Sequence, residues 1–442
     1  MKVKRLTMNS FRGISDMTLD FHETEPTVFI GVNGVGKSSI LDCLSILLSW
    51  LVARVQFDPN AVGSYMTRQS GRLVSGRQQD LANGRIFEQK DIKNGQKKTH
   101  NEITILLTNQ EVKWSINSFR IGGSTGLGVN NALAELESVT KNIRRQWEEN
   151  SEANIPLLVY YPVNRAVLNI PLETSQQEYW YKQVDAYEQA LNGIQINFSS
   201  FFEWFRAVED LENEERRDDS DYRNRNLEAV RQAIYSLLPG FSNLRVRRSP
   251  LRMSVTKQGQ ELIINQLSDG EKCLLAMVGD LARRLAIANP GLPDPLEGSG
   301  VVLIDEIELH LHPKWQREII PALTRTFPNC QFIVTTHSPQ VISDVKPESV
   351  YLLEATPEGI VARHPESSFG RDSNYILEVL MGTPARKEEI KEELLELFRR
   401  IDKGDLEGAR QLRQHLAREI GTDEPEFVKA DILIRRKEIL NR

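Results

Sequence analysis

A glycine-rich segment near the start of the chain, Gly31–Ser38, constrains the fold more than any other feature of the sequence. It has the sequence GVNGVGKS and lies between a short β-branched run, Thr27–Ile30, and a strongly apolar stretch from Ser38 to about Val55. The first run is typical of a buried strand and the second of a helix. Glycines permit a tight turn, and free N–H groups at a helix N-terminus attract anions. The segment therefore predicts a strand, a phosphate-binding loop and a helix in succession.

This succession is that of a P-loop, so the residues of the segment have predicted roles toward a nucleoside triphosphate. Main-chain N–H groups would surround the phosphates, Lys37 would reach the β and γ phosphates, and the Ser38 hydroxyl would bind Mg²⁺. A chance glycine turn is the alternative, and the flanking strand and helix make it much the weaker interpretation. We expect ATP and Mg²⁺ as cofactors, with nucleotide contacts at Asn33, Gly34, Gly36, Lys37, Ser38 and Ser39.

A second apolar run, Val301–Ile304, ends in two carboxylates, Asp305 and Glu306. Phosphoryl transfer depends mostly on positioning and on charge stabilisation, which a metal ion and a base can supply. Asp305 would hold Mg²⁺ directly or through water, and Glu306 would orient and deprotonate the attacking water. A strand that ends in two acids can also be an ordinary surface corner, but the upstream P-loop favours the catalytic interpretation.

A third segment, Gln266–Lys272, has the sequence QLSDGEK. Ser268 can cap a helix that begins at Asp269, which would present a hydroxyl and free N–H groups to an anion. The spacing of Ser268 and Glu271 also fits a plain capping box. The two interpretations are compatible, so the pattern alone does not choose between them.

The order of these segments is P-loop, Gln266–Lys272, the acidic pair, and then Thr335–Ser338, which contains a histidine. This order resembles the ABC-type ATPases of the SMC-like and RecF-like branch. The resemblance implies an α/β fold, in which a P-loop ATPase head has a β-rich first lobe, a helical insertion and a C-terminal helical extension. It also implies that two heads sandwich ATP, each one contacting the other's nucleotide through Ser268 and Gly270.

The same resemblance implies roles for three more residues. His337 matches a switch histidine that contacts the γ-phosphate, although a lone histidine is more often structural. Arg12, in the sequence NSFRG, matches an arginine that reaches the nucleotide, and its alternative is a surface arginine at a hairpin turn. Asn164 stands where these enzymes usually carry the glutamine of the Q-loop. His310 and His312 lack a third ligand at a zinc-like spacing, so we do not expect zinc.

Composition and periodicity divide the chain into four parts. Residues 1–125 are predicted to form the first lobe with the P-loop, and residues 126–243 a strand that leads to Asn164 followed by a helical insertion. Residues 244–365 are predicted to form the second lobe with the remaining motifs. Residues 366–442 have apolar positions at helical spacing among many charges, which is typical of amphipathic helices.

Charge, cysteines and apolar runs limit where the protein acts. A net charge of -6 over 442 residues gives no global electrostatic argument for binding nucleic acid. The three cysteines lie in apolar runs without paired spacing, which fits a reducing compartment. No secretory signal opens the chain and no apolar run suggests a membrane span. We therefore expect a cytoplasmic protein with no membrane partner.

Three segments narrow the resemblance further: residues 159–165, residues 201–206 together with 209–214, and residues 266–272. They are similar to the PtuA family of ATPases in Septu and retron-associated anti-phage defence systems. That resemblance implies a homodimer or higher homo-oligomer bound to a separate HNH nuclease of the PtuB type, with nucleic acid or retron components as further partners. Residues 366–442 are too short for a Toprim nuclease domain, so this extension is a candidate for oligomerisation or partner binding, or a simple cap of the domain.

Two other functions stay open from the sequence. A DNA-repair ATPase would bind DNA directly, and a scaffold would hold ATP without hydrolysing it. The repair function is supported by a basic strand formed by Arg245, Arg247, Arg248 and Arg252. The solvated face of an ordinary strand explains these arginines equally well. Glu306 makes hydrolysis possible, but the presence of a base does not set the rate.

Overall fold

The computed structural model describes most of the chain and divides it into two compact units. The described residues are 1–61, 64–69, 72–121, 124–127, 132–150, 152–165 and 182–440. The first unit is Met1–Arg371 and the second is Asp372–Arg442. We expected a glycine-rich break at residues 122–128, of which residues 124–127 form a strand and the others lie outside the described residues. The beginning of the helical stretch that we expected from residue 176 also lies outside them.

The first unit contains both strands and helices. Its strands are β1 (Lys2–Phe11), β2 (Ile14–Asp20), β3 (Thr27–Ile30), β4 (Ser64–Gln69), β5 (Arg72–Arg77), β6 (Lys98–Leu107), β7 (Gln110–Ile121), β8 (Ser124–Leu127), β9 (Leu157–Tyr161), β10 (Phe241–Arg248), β11 (Leu251–Lys257), β12 (Gln260–Ile263), β13 (Gly300–Ile304), β14 (Cys330–Thr335), β15 (Val350–Thr356) and β16 (Gly359–Arg363). Its helices are α1 (Lys37–Gln56), α2 (Gln78–Leu81), α3 (Ala134–Glu149), α4 (Phe198–Glu215), α5 (Arg225–Leu237), α6 (Asp269–Ala288), α7 (Pro313–Thr326) and α8 (Pro339–Ile342).

A mostly parallel sheet of the order β16-β15-β3-β14-β13-β9 organises this unit. The strands β15, β3, β14, β13 and β9 run parallel, and only β16 is antiparallel within the described sheet. Strands β3, β9, β13 and β14 are buried along their whole length, as their continuous apolar sequences predict. Parallel strands bring their carboxyl ends to one edge of the sheet, which is where ligands bind in open α/β sheets.

A second, antiparallel sheet of the order β2-β1-β6-β7-β8 forms the β-rich lobe. Buried and exposed positions alternate along β6, which is typical of a strand with one face on the core. The buried Trp114 of β7 donates its indole N–H to the carbonyl of Leu47 in α1, at 3.1 Å, and so joins this sheet to the P-loop helix. The predicted α/β architecture with a β-rich first lobe is therefore confirmed.

Helix α1 corrects one expectation about apolar runs. It is the one described helix with the length and composition of a membrane span, although we expected no such run. Within the fold, 78% of its apolar window is buried. A core helix of this kind passes the same test of length and composition as a membrane helix.

The predicted helical insertion is formed by α4 and α5. Its aromatic side chains, Phe198, Phe201, Phe202, Trp204 and Phe205, are buried. They pack on the rest of the unit rather than forming a separate core, because the Phe201 ring lies against Gly279 of α6, only 2.8 Å from where a Cβ would be. From the sequence we would expect the charged stretch from residue 209 to be a solvated face, but two of its carboxylates are not solvated. Glu209 and Glu212 are buried and accept hydrogen bonds from Arg231, which compensates their charges.

The basic strand before the segment Gln266–Lys272 also differs from its prediction. We expected a hairpin formed by one strand from Leu244 to Val255, a turn at Lys257–Gln260 and a second strand from Glu261 to Asn265. The structure instead has a three-stranded meander, β10-β11-β12, because the chain turns at Ser249-Pro250. Proline lacks the N–H that a strand in the middle of a sheet must donate.

The second unit is a helical bundle, as the apolar spacing of this region predicts. Its helices are α9 (Ser373–Tyr375), α10 (Glu388–Lys403), α11 (Leu406–Ile420) and α12 (Pro425–Leu440). Helices α10, α11 and α12 share a core formed by Leu394, Leu397, Ile401, Ala409, Leu416, Phe427, Ala430 and Ile434. Gly404 ends α10 with φ of 86°, a conformation that glycine adopts without steric cost.

The bundle offers a direct test of its core. Leu397→Ala should lower the free energy of unfolding of the second unit by about 2 to 5 kcal/mol, because Leu397 is fully buried and the truncation leaves a cavity. Leu395→Ala, on the exposed face of the same helix, should change it by less than about 0.5 kcal/mol. Hydrogen exchange of the α10–α12 amides in the full chain measures both, and equal protection in the two variants would contradict the packing.

Candidate nucleotide-binding site

The P-loop connects β3 to α1 through backbone that requires glycine. Gly31 has φ of 146°, and a Cβ there would lie 2.6 Å from the carbonyl oxygen of Leu353. Gly36 has φ of 106° and precedes the first residue of α1. No described side chain caps this helix N-terminus. Its first N–H groups are therefore available to an anion, as a phosphate-binding loop needs.

Lys37 lies folded over this loop. Its ammonium group donates to the carbonyl oxygens of Gly31 and Val32, at 2.8 and 3.1 Å, and its side chain is largely buried. Burial lowers the pKa of Lys37, while the carboxylates of Asp305 and Glu306 oppose that change. The lysine and the two acids are thus close enough to interact, although 268 positions separate Lys37 from Asp305 in the sequence.

The two acids follow β13 at the same edge of the sheet as the P-loop. Asp305 is buried, and one of its carboxylate oxygens, Oδ1, accepts the hydroxyl hydrogen of Thr335. The same hydroxyl oxygen accepts the N–H of Glu306 at 2.7 Å. Thr335, from β14, therefore fixes the start of the turn that carries both acids, a contact that the sequence analysis missed.

Glu306 has an unusual backbone conformation. Its φ of 48° lies in the left-handed region, which residues other than glycine rarely adopt. Such a conformation persists only where the surrounding structure enforces it, and it is common at functional sites. The hydrogen bond from the Glu306 N–H to the Thr335 hydroxyl is one restraint on this conformation, and Arg165 provides a second.

Arg165 lies in the 3-10 turn after β9, directly after Asn164. Its guanidinium donates to the main-chain carbonyl oxygens of Asp305 and of Glu306, the latter at 2.6 Å. Asn164 itself is exposed at this turn, next to the strand that carries the acids, because β9 pairs with β13. Its position is that of a residue able to face a ligand at the sheet edge, and its role stays a prediction.

His337 follows β14, between the P-loop strand and the acidic strand. The main-chain N–H of His337 donates to the Glu308 carboxylate, which also accepts a hydrogen bond from the Thr336 hydroxyl at 2.7 Å. Burial lowers the pKa of His337, and the nearby ammonium of Lys37 lowers it further, whereas Glu308 opposes the change. The imidazole is therefore mostly neutral at pH 7 and can donate or accept a hydrogen bond. Glu308 is a second residue that the sequence analysis left without a role.

Arg12 lies at the β1–β2 turn and faces α1 rather than bulk solvent. Its guanidinium donates to Asp42 at 2.6 Å and to Asp91 at 2.9 Å, and it lies 3.5 Å from the Ser39 hydroxyl. A merely exposed hairpin arginine would have no such partners. The structure therefore places Arg12 beside the start of α1, which begins at Lys37. Its contact with a nucleotide stays a prediction.

Ser268 caps α6, as the capping-box pattern predicts. Its hydroxyl accepts the N–H of Glu271 at 3.4 Å, and the Glu271 carboxylate accepts the N–H of Ser268 at 3.0 Å. Ser268 remains exposed at the helix N-terminus, while Gly270 is buried. A Cβ on Gly270 would lie 2.3 Å from the carbonyl oxygen of His310, so α6 packs directly on the chain that follows the acidic turn.

His312 has a structural role that accounts for its position. Its Nδ1 accepts the N–H of Lys314 at 3.3 Å and so caps α7. His310 adopts φ of 62° in the same connection, where its main chain contacts Gly270. These two histidines thus shape the connection between the acidic turn and α7.

Comparison with known proteins places this chain in a family. Two family models match the chain: "AAA domain" over residues 5–240, and "AAA domain, putative AbiEii toxin, Type IV TA system" over residues 143–343. The SMC head domain from Thermotoga maritima covers 83% of this chain and all of that one, with 16% identity and a TM-score of 0.41.

Three curated relatives are similar to this chain over most of their length. "Retron Ec83 probable ATPase" of Escherichia coli is 30% identical over 99% of this chain and 87% of that protein. "Retron Vc95 probable ATPase" of Vibrio cholerae is 28% identical over 91% and 83%. "Septu protein PtuA" of Bacillus thuringiensis is 21% identical over 77% and 72%. The chain therefore belongs to the family of AAA-domain ATPases that includes these retron ATPases and Septu PtuA.

Proposed function

We propose that this chain is the ATPase subunit of an anti-phage defence complex, in which ATP bound between two copies controls an associated HNH nuclease. The observation that carries the proposal is the convergence of Lys37, His337 and the acidic pair at the carboxyl edge of three neighbouring strands, β3, β14 and β13. The names of the relatives support the defence context, since they include retron ATPases and Septu PtuA.

The residues present fit a Mg²⁺-bound nucleoside triphosphate. The α1 N-terminus and Lys37 would hold the phosphates, and Ser38 and Asp305 would hold Mg²⁺, which would neutralise charge on the phosphates. Thr335 occupies Oδ1 of Asp305, and Oδ2 has no hydrogen bond from the described residues. Glu306 would take a proton from the attacking water, and neutral His337 would contact the γ-phosphate.

The proposed site is completed by a second copy of the chain. Ser268 and the α6 N-terminus present an exposed hydroxyl and helix dipole, which suit a phosphate group. In a head-to-head dimer these groups of one copy would cover the nucleotide bound by Lys37 of the other. We propose that this cytoplasmic dimer or higher oligomer binds the nuclease, with the bundle of residues 372–442 as the candidate binding element.

Direct DNA binding through the basic strand has less support. Arg245 and Arg247 pair with Glu261, at 3.0 and 2.9 Å, and Arg248 pairs with the carboxylates of Glu209 and Asp210. Guanidinium groups held by carboxylates contribute little counterion release on binding a phosphate backbone. Of the four arginines in the basic strand, only Arg252 lacks a salt bridge within the described residues.

The phosphate role of Lys37 can be tested by binding. Lys37→Met should weaken the affinity for a fluorescent ATP analogue about 10-fold or more, because a charged hydrogen bond to phosphate contributes about 1.5 to 3 kcal/mol. Lys346→Met, at an exposed lysine that pairs with Glu25, should bind the analogue as the wild type does. Equal affinity in the two variants would contradict the proposed site.

The catalytic role of Glu306 can be tested by turnover and assembly. Glu306→Gln should lower phosphate release about 100-fold or more, because the base is lost, and should retain ATP and the ATP-dependent dimer. The measurements are phosphate release and light scattering with ATP, with the exposed Glu358→Gln as the control. Unchanged turnover in Glu306→Gln would remove Glu306 from the mechanism.

The repair alternative predicts strong DNA binding by this chain alone. We expect a Kd for duplex DNA no tighter than about 1 µM at physiological salt, which is the range of non-specific binding. Fluorescence anisotropy with a labelled duplex, measured across salt concentrations, checks this value. Nanomolar affinity that Arg252→Ala abolishes would favour the repair function instead.

A further inference from the structure

We infer that Arg165 is a positioning residue, which holds the main chain of the acidic turn so that the Glu306 carboxylate faces the attacking water. The inference rests on the proposed ATP hydrolysis and adds a residue to it. Arg165 would not touch the nucleotide. It would act through Glu306, and it would make hydrolysis depend on the segment that follows β9.

The contacts of Arg165 point to this role. Arg165 is 4% exposed, and within the described residues its hydrogen bonds go to the main-chain carbonyl oxygens of Asp305, Glu306 and Pro162. Burial lowers the pKa of Arg165, and Asp305 opposes that change, but an arginine stays charged in a protein. A buried cation is costly unless several acceptors solvate it. Here, two of those acceptors belong to the turn that carries the proposed base.

The backbone of Glu306 explains why the turn needs support. Its left-handed φ of 48° carries a steric cost that neighbouring contacts must offset. Thr335 accepts the N–H of Glu306, and Arg165 donates to its C=O. Both peptide groups of Glu306 are thereby fixed, one from β14 and the other from the 3-10 turn after β9. The direction of the Cα–Cβ bond follows from that backbone, so Arg165 helps to set where the carboxylate points.

The position of Arg165 also connects two parts of the site. Asn164, the exposed residue before it, lies on the same 3-10 turn and can face a ligand at the sheet edge. A displacement of this turn moves the guanidinium away from the Glu306 carbonyl and releases the acidic turn on that side. The position of the Glu306 carboxylate therefore depends on the position of the turn Val163–Arg165.

The test separates positioning from stability by a matched pair of variants. Arg165→Met removes both hydrogen bonds to the turn. Arg144→Met is the control, because Arg144 is also buried and donates to two main-chain carbonyl oxygens, those of Arg54 and Phe57, away from the acidic turn. Both variants lose a buried arginine, and only the first changes the support of Glu306.

We expect kcat for ATP hydrolysis by Arg165→Met to fall about 10- to 100-fold with KM and the ATP dissociation constant within about 3-fold of wild type, since a small misplacement of a catalytic group costs up to about 100-fold. Arg144→Met should keep kcat within about 3-fold of wild type, even if its melting temperature falls as far as that of Arg165→Met. Arg165→Lys keeps the charge but cannot bond both carbonyls in the same way, so its kcat should lie between those of wild type and Arg165→Met.

Three outcomes would overturn the inference while leaving the proposed function intact. The first is an equal kcat in Arg165→Met, Arg165→Lys and Arg144→Met, and the second is a change confined to KM, which would assign Arg165 to nucleotide binding. Failure of Arg165→Met to fold leaves Arg165→Lys to decide, and wild-type kcat in that variant would also refute the role. Wild-type protein without ATP hydrolysis would refute the proposed function together with this inference, which distinguishes the two failures.

Discussion

The pairing of β14 between β3 and β13 is the constraint on which the rest of the site depends. Those three strands carry the P-loop, the histidine segment and the acidic pair at their carboxyl ends, and their parallel register sets how these segments meet. The Thr335 hydroxyl makes that register specific, because it binds both the Asp305 side chain and the Glu306 main chain. A slip of one residue would turn this side chain to the other face of the sheet and leave buried polar groups without partners.

The sequence predicted the local elements well, since each depends on a short pattern. Strand β3 has the predicted bounds Thr27–Ile30, and α6 begins at Asp269 as the capping pattern indicates. The α/β fold and the membership of the PtuA-like ATPase family are confirmed, whereas the roles of the site residues stay predictions. Contacts of Thr335 and Arg165 could not be predicted, because they arise between strands far apart in the sequence.

Charged residues were the main source of error, for a physical reason. A run of charges looks solvated in a sequence, since its partners are not visible there. In the structure, Glu209 and Glu212 are buried with Arg231, and Arg12 is held by two acids on different elements. Arginine can join such distant carboxylates because it has several donors in a fixed plane. The net charge of a segment therefore says little about which surface faces solvent.

The absence of a side chain at Gly270 has a consequence for an assembled pair of heads. The helix that carries Ser268 rests against the carbonyl of His310 with no room for a Cβ, and that carbonyl lies four residues after Glu306. In the proposed dimer, a movement of the acidic turn would therefore reach the N-terminus of the helix that carries Ser268. Hydrolysis of one ATP would then change the contact that Ser268 of the same copy makes with the other ATP, so the two ATP molecules would be hydrolysed one after the other.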